Sequence, residues 1–292
     1  MRSLESIDIA SWDEAIAAEK KIQAVEALES GKVVFFPHLA FQLSESEKRF
    51  LNPEIVNPKS KNISYDIRSD RFAGALLAES DAEELKAMVK RFAVTSRKFL
   101  LSLIPHYEKT LFQAKTSFRP VEIFGRKSSY KKDDTRLHVD SFPSSPTKGE
   151  RILRIFSNVH PGDKPRVWHI GEPFEDVVNK MAPRARSPYF GESALLQFLR
   201  ITKSKRSLYD HYMLQIHDAM KYDMNYQKTV DQEEMLFAPG SSWMVYTDQA
   251  SHAAMSGQHV LEQTFHIPVE GLYNPETAPL KVLERYFNKA LV

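Results

Sequence analysis

The 292-residue chain contains no cysteine. Disulfides, thiol nucleophiles and cysteine-ligated zinc or iron–sulfur sites are thereby excluded, and the composition suits a reducing compartment. No apolar run approaches the roughly 18 residues of a spanning helix. The N-terminus, MRSLESIDIASWDEA, lacks a charged segment followed by an apolar core, so no secretory signal is read there. The expected address is cytoplasmic. Charge of one sign is not in excess either: 40 Lys and Arg against 38 Asp and Glu leave +2. A dedicated nucleic-acid binder carries a clear basic surplus, so nucleic acid is not an expected partner. Repeats, low-complexity tracts and linker-like stretches are missing too. What remains, 42% hydrophobic and 27% charged residues, is ordinary globular composition. One domain over residues 1–292 is expected.

The first part of the chain, 1–117, reads as a mainly helical flank. Asp13 to Ser30 is rich in Ala, Glu and Lys, with Ile16, Ile22, Val25 and Leu28 at helical steps and Gly31 as a C-terminal stop. Val33 to Phe36 is a short buried strand. Ser44 with Glu47, and Ser80 with Glu83, have capping-box spacing. The second box is expected to open a helix whose face carries Leu85, Met88, Val89, Phe92, Phe99, Leu100 and Leu103 and which stops at Pro105. From Phe118 the texture turns to short β-like runs: Val121 to Phe124, Thr135 to Val139, Arg151 to Val159, Arg166 to Ile170, Met235 to Phe237, Ser242 to Tyr246 and Gln258 to Ile267. A helical insert, at about 175–230, interrupts them, and Leu280 to Leu291 closes as an amphipathic helix. Helices followed by many short strands indicate an α+β fold on an antiparallel sandwich or barrel.

The triplet His138-Val139-Asp140 carries chemistry. On a strand, alternation turns His138 and Asp140 to one face, where both can bind one metal ion. His252 supplies a third ligand: it follows the turn Pro239-Gly240, the apolar strand Trp243 to Tyr246, and Asp248. Two histidines and a carboxylate form the facial triad of non-haem iron(II) oxygenases, which leaves open positions for a bidentate co-substrate and oxygen. At this point the chain resembles the iron(II)/2-oxoglutarate oxygenases. Many of these place an Arg about ten residues after the distal His; here that stretch is Leu261-Glu262-Gln263-Thr264. A dicarboxylate still needs a fixed cation. Arg154 on the strand from Arg151 is the expected anchor, with Asn158 on the same face, Arg151 as the alternative, and Gln263 or Thr264 adding a hydrogen bond. His211 and His217 in the helical insert, and His160, His169, His259 and His266 near strand ends, are read as polar or packing histidines rather than ligands.

Longer stretches are more specific. They include Asp134 to Pro143, Gly149 to Phe156, Pro165-Arg166-Val167-Trp168 with Gly171 to Glu175, Tyr209 to Leu214 with His217 to Lys221, and Ser251-His252-Ala253-Ala254. Together they resemble the Kdo hydroxylase family, Kdo being 3-deoxy-D-manno-oct-2-ulosonic acid, the sugar that joins lipid A to the lipopolysaccharide core. The resemblance implies a double-stranded β-helix, a cupin-like jelly roll, occupying 118–292 with flanking helices. It implies an iron(II)/2-oxoglutarate dioxygenase that uses oxygen, is stimulated by ascorbate, and hydroxylates carbon 3 of lipid-linked Kdo to give Ko. His138, Asp140 and His252 would hold the iron. Arg126, Lys127 and Tyr130, which run into the metal strand, are the expected substrate contacts, with Arg166 and Trp168 on a neighbouring strand. The basic cluster Arg200, Lys203, Lys205 and Arg206 beside Leu195, Leu196, Phe198, Leu199 and Ile201 fits peripheral contact with an anionic membrane, at the inner face of the inner membrane. The alternatives are the same chemistry on another sugar acid or a protein side chain, or a non-catalytic metal-containing jelly roll that binds glycans.

Overall fold

A computed structural model describes residues 3–126 and 128–292. Strand β1 (Leu4–Ser6) leads to helix α1 (Ala18–Glu29), which Gly31 ends in a left-handed conformation (φ 86°). A side chain there would press on Gln249, 3.2 Å away. Strand β2 (Val33–Phe36) follows as expected, then β3 (Ile63–Asp66) and β4 (Arg71–Ala73). Helix α2 (Glu79–Leu103) buries the whole predicted face from Leu85 to Leu103, and Pro105 follows its end. The Ser44–Glu47 capping box forms, with Glu47 N donating to Ser44 Oγ at 3.2 Å and Ser44 N to Glu47 Oε2 at 2.8 Å. The Ser80–Glu83 box does not: α2 starts two residues earlier than that box requires, with Ala78 at the cap and Ser80 already inside the first turn.

Strand β5 (Phe112–Arg119) opens the jelly roll, continued by β6 (Arg151–Asn158) and β7 (Arg166–Ile170). Helices α3 (Phe174–Met181), α4 (Glu192–Phe198), α5 (Leu208–Tyr222) and α6 (Met224–Thr229) form the predicted insert. Strands β8 (Glu233–Phe237), β9 (Ser242–Tyr246), β10 (His252–Ser256) and β11 (Val260–Ile267) complete the roll, and α7 (Pro279–Phe287) closes the chain. The large sheet runs β1-β2-β9-β6-β11-β5-β3-β4, and the small one β10-β7-β8. Residues 1–117 are therefore less of a helical flank than expected. The edges of the large sheet, β1-β2 and β3-β4, come from them.

Two predicted strands are absent. Over Val121 to Phe124 the Glu122 carboxylate accepts from the amides of Ile123 and Phe124, at 2.8 and 3.1 Å, and so folds a turn. Over Thr135 to Val139 only His138 pairs, as an isolated bridge to His252; Asp133 accepts from Thr135 N at 3.0 Å and turns the chain beforehand. The two sheets face each other across an aromatic core. Trp243 of β9 stacks on Phe237 of β8 (4.1 Å) and on Phe156 of β6 (5.1 Å), and Trp168 of β7 meets Phe156 edge-on. Helix α2 covers the outer side of the large sheet, packing Leu85, Val89 and Phe92 with Ile63, Phe118 and Leu261. The architecture is the double-stranded β-helix with flanking helices.

Candidate metal centre

The bridge at the open edge of the small sheet positions the metal ligands. His138 N donates to His252 O at 3.0 Å, and His252 N returns a bond to His138 O at 2.9 Å. Asp140 N is tied to Thr247 O at 2.7 Å. The triplet is thus fixed by backbone bonds rather than by a full strand, and it still brings its side chains together. Donor atoms of His138, Asp140 and His252 all lie within 4.8 Å of one another. Each imidazole is oriented by its other nitrogen. Nδ1 of His138 donates to Arg136 O at 2.7 Å and Nδ1 of His252 to Ala250 O at 2.8 Å. A carbonyl only accepts, so the proton is on Nδ1 and each Nε2 keeps its lone pair for a metal.

The electrostatics favour ligation. Burial pulls both imidazoles below their ordinary range, far below for His138, which also faces His252 and Lys221. Burial pushes the Asp140 carboxyl up, but the Arg154 guanidinium outweighs it and holds it well below the usual carboxylate range. Two neutral imidazoles and an anionic carboxylate are the states a divalent ion needs. Asp140 Oδ2 faces Arg154 Nη2 at 3.0 Å, which leaves the carboxylate anionic and able to ligate. Two imidazole Nε2 lone pairs and one carboxylate, all within 4.8 Å, are a donor set that fits iron(II).

A cavity of about 610 Å³ opens beside this cluster. Three arginines from three strands enter it: Arg119 of β5, Arg154 of β6 and Arg166 of β7. Their partners differ. Arg154 Nη2 lies 3.0 Å from Asp140 and its Nη1 3.4 Å from Glu262, which Arg119 also meets at 2.6 Å. Burial works against the Arg154 charge, but these carboxylates outweigh it and raise its pKa. Arg166 is buried with no carboxylate partner among the described residues. It donates to Gly257 O at 2.7 Å, and its Nε is unpaired. Burial and then Arg119 pull its pKa down to about 10. A desolvated guanidinium without an anion is costly, and an anion in the cavity would offset that cost.

A family model described as 3-deoxy-D-manno-oct-2-ulosonic acid (Kdo) hydroxylase matches residues 11–290. The chain belongs to the Kdo hydroxylase family. It is similar to crystal structures of the Kdo hydroxylase KdoO, a non-heme Fe(II) alphaketoglutarate dependent dioxygenase. The cobalt(II) complex is 50% identical, with 99% of this chain and 97% of that chain covered and a TM-score of 0.97. The complex with alphaketoglutarate and Fe(III) is 50% identical over the same shares, with a TM-score of 0.96. The apo structure gives 50% and 0.97. Comparison with curated proteins yields no match. As a Kdo hydroxylase the chain is an iron(II)/2-oxoglutarate-dependent dioxygenase, with iron and 2-oxoglutarate as its cofactors.

Against this Kdo hydroxylase framework the remaining expectations divide. Arg154, Arg166 and Trp168 line the cavity, and Trp168 stacks on the His252 ring at 5.1 Å. Asn158 does not line it. Although on the Arg154 face, it lies at the strand end and bonds Phe237 O (2.9 Å) and His160 N (3.0 Å). Gln263 is one residue out of phase with Glu262, so it points beneath α2, where its Oε1 accepts from Thr116 at 2.6 Å. Arg151 is buried against Asp248 at 2.7 Å and lies away from the cavity. Tyr130 packs edge-on against Tyr222 rather than lining the cavity. Arg126 lines an adjoining groove of about 500 Å³ with Lys59, Lys61 and Lys132. Lys127 lies outside the described residues.

Cavity residues that sequence reasoning did not single out include Arg119, His217, Lys221 and Glu262. His217, read as a packing residue of the insert, meets the His138 ring edge-on at 5.5 Å, with its Nδ1 3.0 Å from Asp218. The capping box Ser207–Asp210 that starts α5 was a visible signal of the helix, but no sequence signal says which turn of it faces a cavity.

Proposed function

We propose that this Kdo hydroxylase acts on carbon 3 of a Kdo unit carried on lipid A, giving Ko, and that residues 1–292 work as one domain. The observation that carries the reading is the surplus of cations around the His138–Asp140–His252 cluster. Arg119, Arg154, Arg166, Lys61, Lys131, Lys132 and Lys221 line a cavity with only Asp134, Asp140, Asp218 and Glu262 against them. A bound divalent ion adds to the excess. One dicarboxylate co-substrate does not exhaust it, so the substrate is acidic as well, as Kdo and phosphorylated lipid A are. The substrate's lipid brings the enzyme to a membrane surface as a peripheral protein at the cytoplasmic face.

In this reading His138, Asp140 and His252 hold iron(II). With 2-oxoglutarate and oxygen, the iron supplies the oxidising power that inserts a hydroxyl into the sugar and leaves succinate and carbon dioxide. The chain supplies everything else. The carbonyls of Arg136 and Ala250 fix the imidazole tautomers. Arg166 and Arg154 hold the far carboxylate of 2-oxoglutarate, and Trp168 walls its site beside His252. Arg126, Lys132 and Lys61 in the adjoining groove receive further anionic groups of the substrate. His217, with Asp218 on its other side, stands next to the reacting face, where it offers a hydrogen bond to the substrate.

The test is succinate formation by purified protein with iron(II), ascorbate, oxygen and 2-oxoglutarate, with and without Kdo-bearing lipid A. The reading expects succinate to rise with the lipid. Succinate that is indifferent to the lipid would discard the substrate while keeping the oxygenase.

A further inference from the structure

Between positions 189 and 201 the surface is unusually apolar. Tyr189 is 82% exposed, Phe190 109%, Phe198 83%, Leu195 57%, Leu199 55% and Ile201 53%. These residues lie on α4 and the chain beside it. Soluble surfaces scatter single apolar side chains, but a concentration of this kind marks a surface that something covers. The cations around it are also unspent. Arg186, Arg200, Lys203, Lys205 and Arg206 form no ion pair among the described residues, and Glu192 is the acidic residue of the stretch. Below the patch lies a cavity of about 550 Å³ lined by Phe190, Leu196, Lys205, Arg206 and Leu291. Aromatic and aliphatic side chains ringed by unpaired Lys and Arg are the chemistry of an interfacial membrane anchor.

The segment is tied to the active site. Lys203 N donates to Ser144 O at 3.0 Å, and Arg206 Nη2 to Pro143 O at 2.8 Å. Residues Ser141, Phe142 and Pro143 line the catalytic cavity. Whatever docks on 189–206 therefore sits beside the rim through which substrate enters.

We infer that residues 189–206 are the membrane-docking element, seating Tyr189, Phe190 and Phe198 in an anionic bilayer while Arg200, Lys203 and Lys205 bind its headgroups. Docking holds the catalytic cavity at headgroup height, where the sugar of a lipid-linked acceptor lies. The inference rests on the proposed lipid-borne substrate for its choice of occupant.

The experiment is co-sedimentation of the iron-loaded protein with vesicles that contain no Kdo, either purely zwitterionic phosphatidylcholine or phosphatidylcholine with phosphatidylglycerol. Wild type is expected to partition about tenfold or more in favour of the anionic vesicles, and to be released by high salt. F190S/F198S and R200E/K203E/K205E should each lose about tenfold of that binding, while their succinate formation on a soluble, deacylated Kdo acceptor matches wild type. Wild type that stays in the supernatant with both vesicles, or variants that bind unchanged, overturn the inference. So does a wild-type dimer in sedimentation velocity that F190S/F198S converts to monomer, because the patch then covers a second copy of the chain. Vesicle binding without turnover on any Kdo acceptor would sink the substrate reading alone. Turnover on the soluble acceptor without vesicle binding would sink the docking element alone.

Discussion

At the scale of single residues, the site separates ligands from charge-holders. His138→Ala and Asp140→Ala each remove one of three donors held within 4.8 Å. Bound iron per chain, measured by elemental analysis, should fall below half that of wild type, with turnover lost and the circular dichroism of the fold retained. Full iron content in both variants would contradict the triad. The two arginines should behave differently. Arg166 has no carboxylate to lose, so Arg166→Met should leave the ligand-free protein within about 1 kcal/mol of wild type, the worth of its bond to Gly257 O. It should also raise the 2-oxoglutarate KM about tenfold or more, roughly 1.4 kcal/mol. Arg154→Met strands Asp140, while Glu262 keeps Arg119, and it should destabilise the ligand-free protein by several kcal/mol, about 3–5 for a broken buried pair. Thermal melts with and without 2-oxoglutarate distinguish them; equal losses would show that both arginines play one role.

At the scale of elements, the strands carry the argument. The short apolar runs Arg151 to Asn158, Arg166 to Ile170 and Ser242 to Tyr246 were readable because both faces are buried and turn residues flank them. The alternation rule then correctly placed Arg154 and Phe156 on the cavity side. It failed at Asn158, where the strand ends and the side chain serves a loop instead, and at Gln263, because nothing in the sequence sets the phase of β11. The metal triplet was readable for the right residues on the wrong element: a local turn at Asp133 spoils the strand, and a backbone bridge to a partner over a hundred residues away restores the geometry. Register of that kind is long-range and has no local signature. The sheet-to-sheet core should be stiff. Phe237 stacks on Trp243 at 4.1 Å and is fully buried. Phe237→Ala is expected to cost about 3–5 kcal/mol in urea unfolding, and to lower iron retention only in proportion to the unfolded fraction. A loss under about 1 kcal/mol would show that β8 is not part of the cooperative core.

At the scale of the whole molecule, charge near balance hides strong local separation. A net +2 gives no hint that cations crowd one cavity and one surface segment, so the composition argued against a nucleic-acid binder without pointing to an acidic substrate. The flank read as helical also proved to supply sheet edges, since β1, β3 and β4 are too short to stand out against neighbouring loops. Stability should fall in acid. Burial, with His160 nearby, pulls His259 down to about 4, and burial, with Arg154 nearby, does the same to His266. The unfolded chain takes up these protons near about 6.5. The native state binds fewer protons between those values, so the contribution of the neutral histidines is complete above about 6.5 and is lost as pH falls towards 4. His266→Gln should flatten that decline by up to about 1.4 kcal/mol per pH unit; an unchanged slope would show that His266 does not couple to folding.

A Kdo hydroxylase places one oxygen atom from O2 on a Kdo unit. The measurement is mass spectrometry of the Kdo released from lipid A after turnover under heavy-isotope oxygen gas. The expected product is a sugar that gains one heavy oxygen atom on carbon 3, with a second heavy atom in succinate. Unlabelled Kdo beside labelled succinate would contradict it.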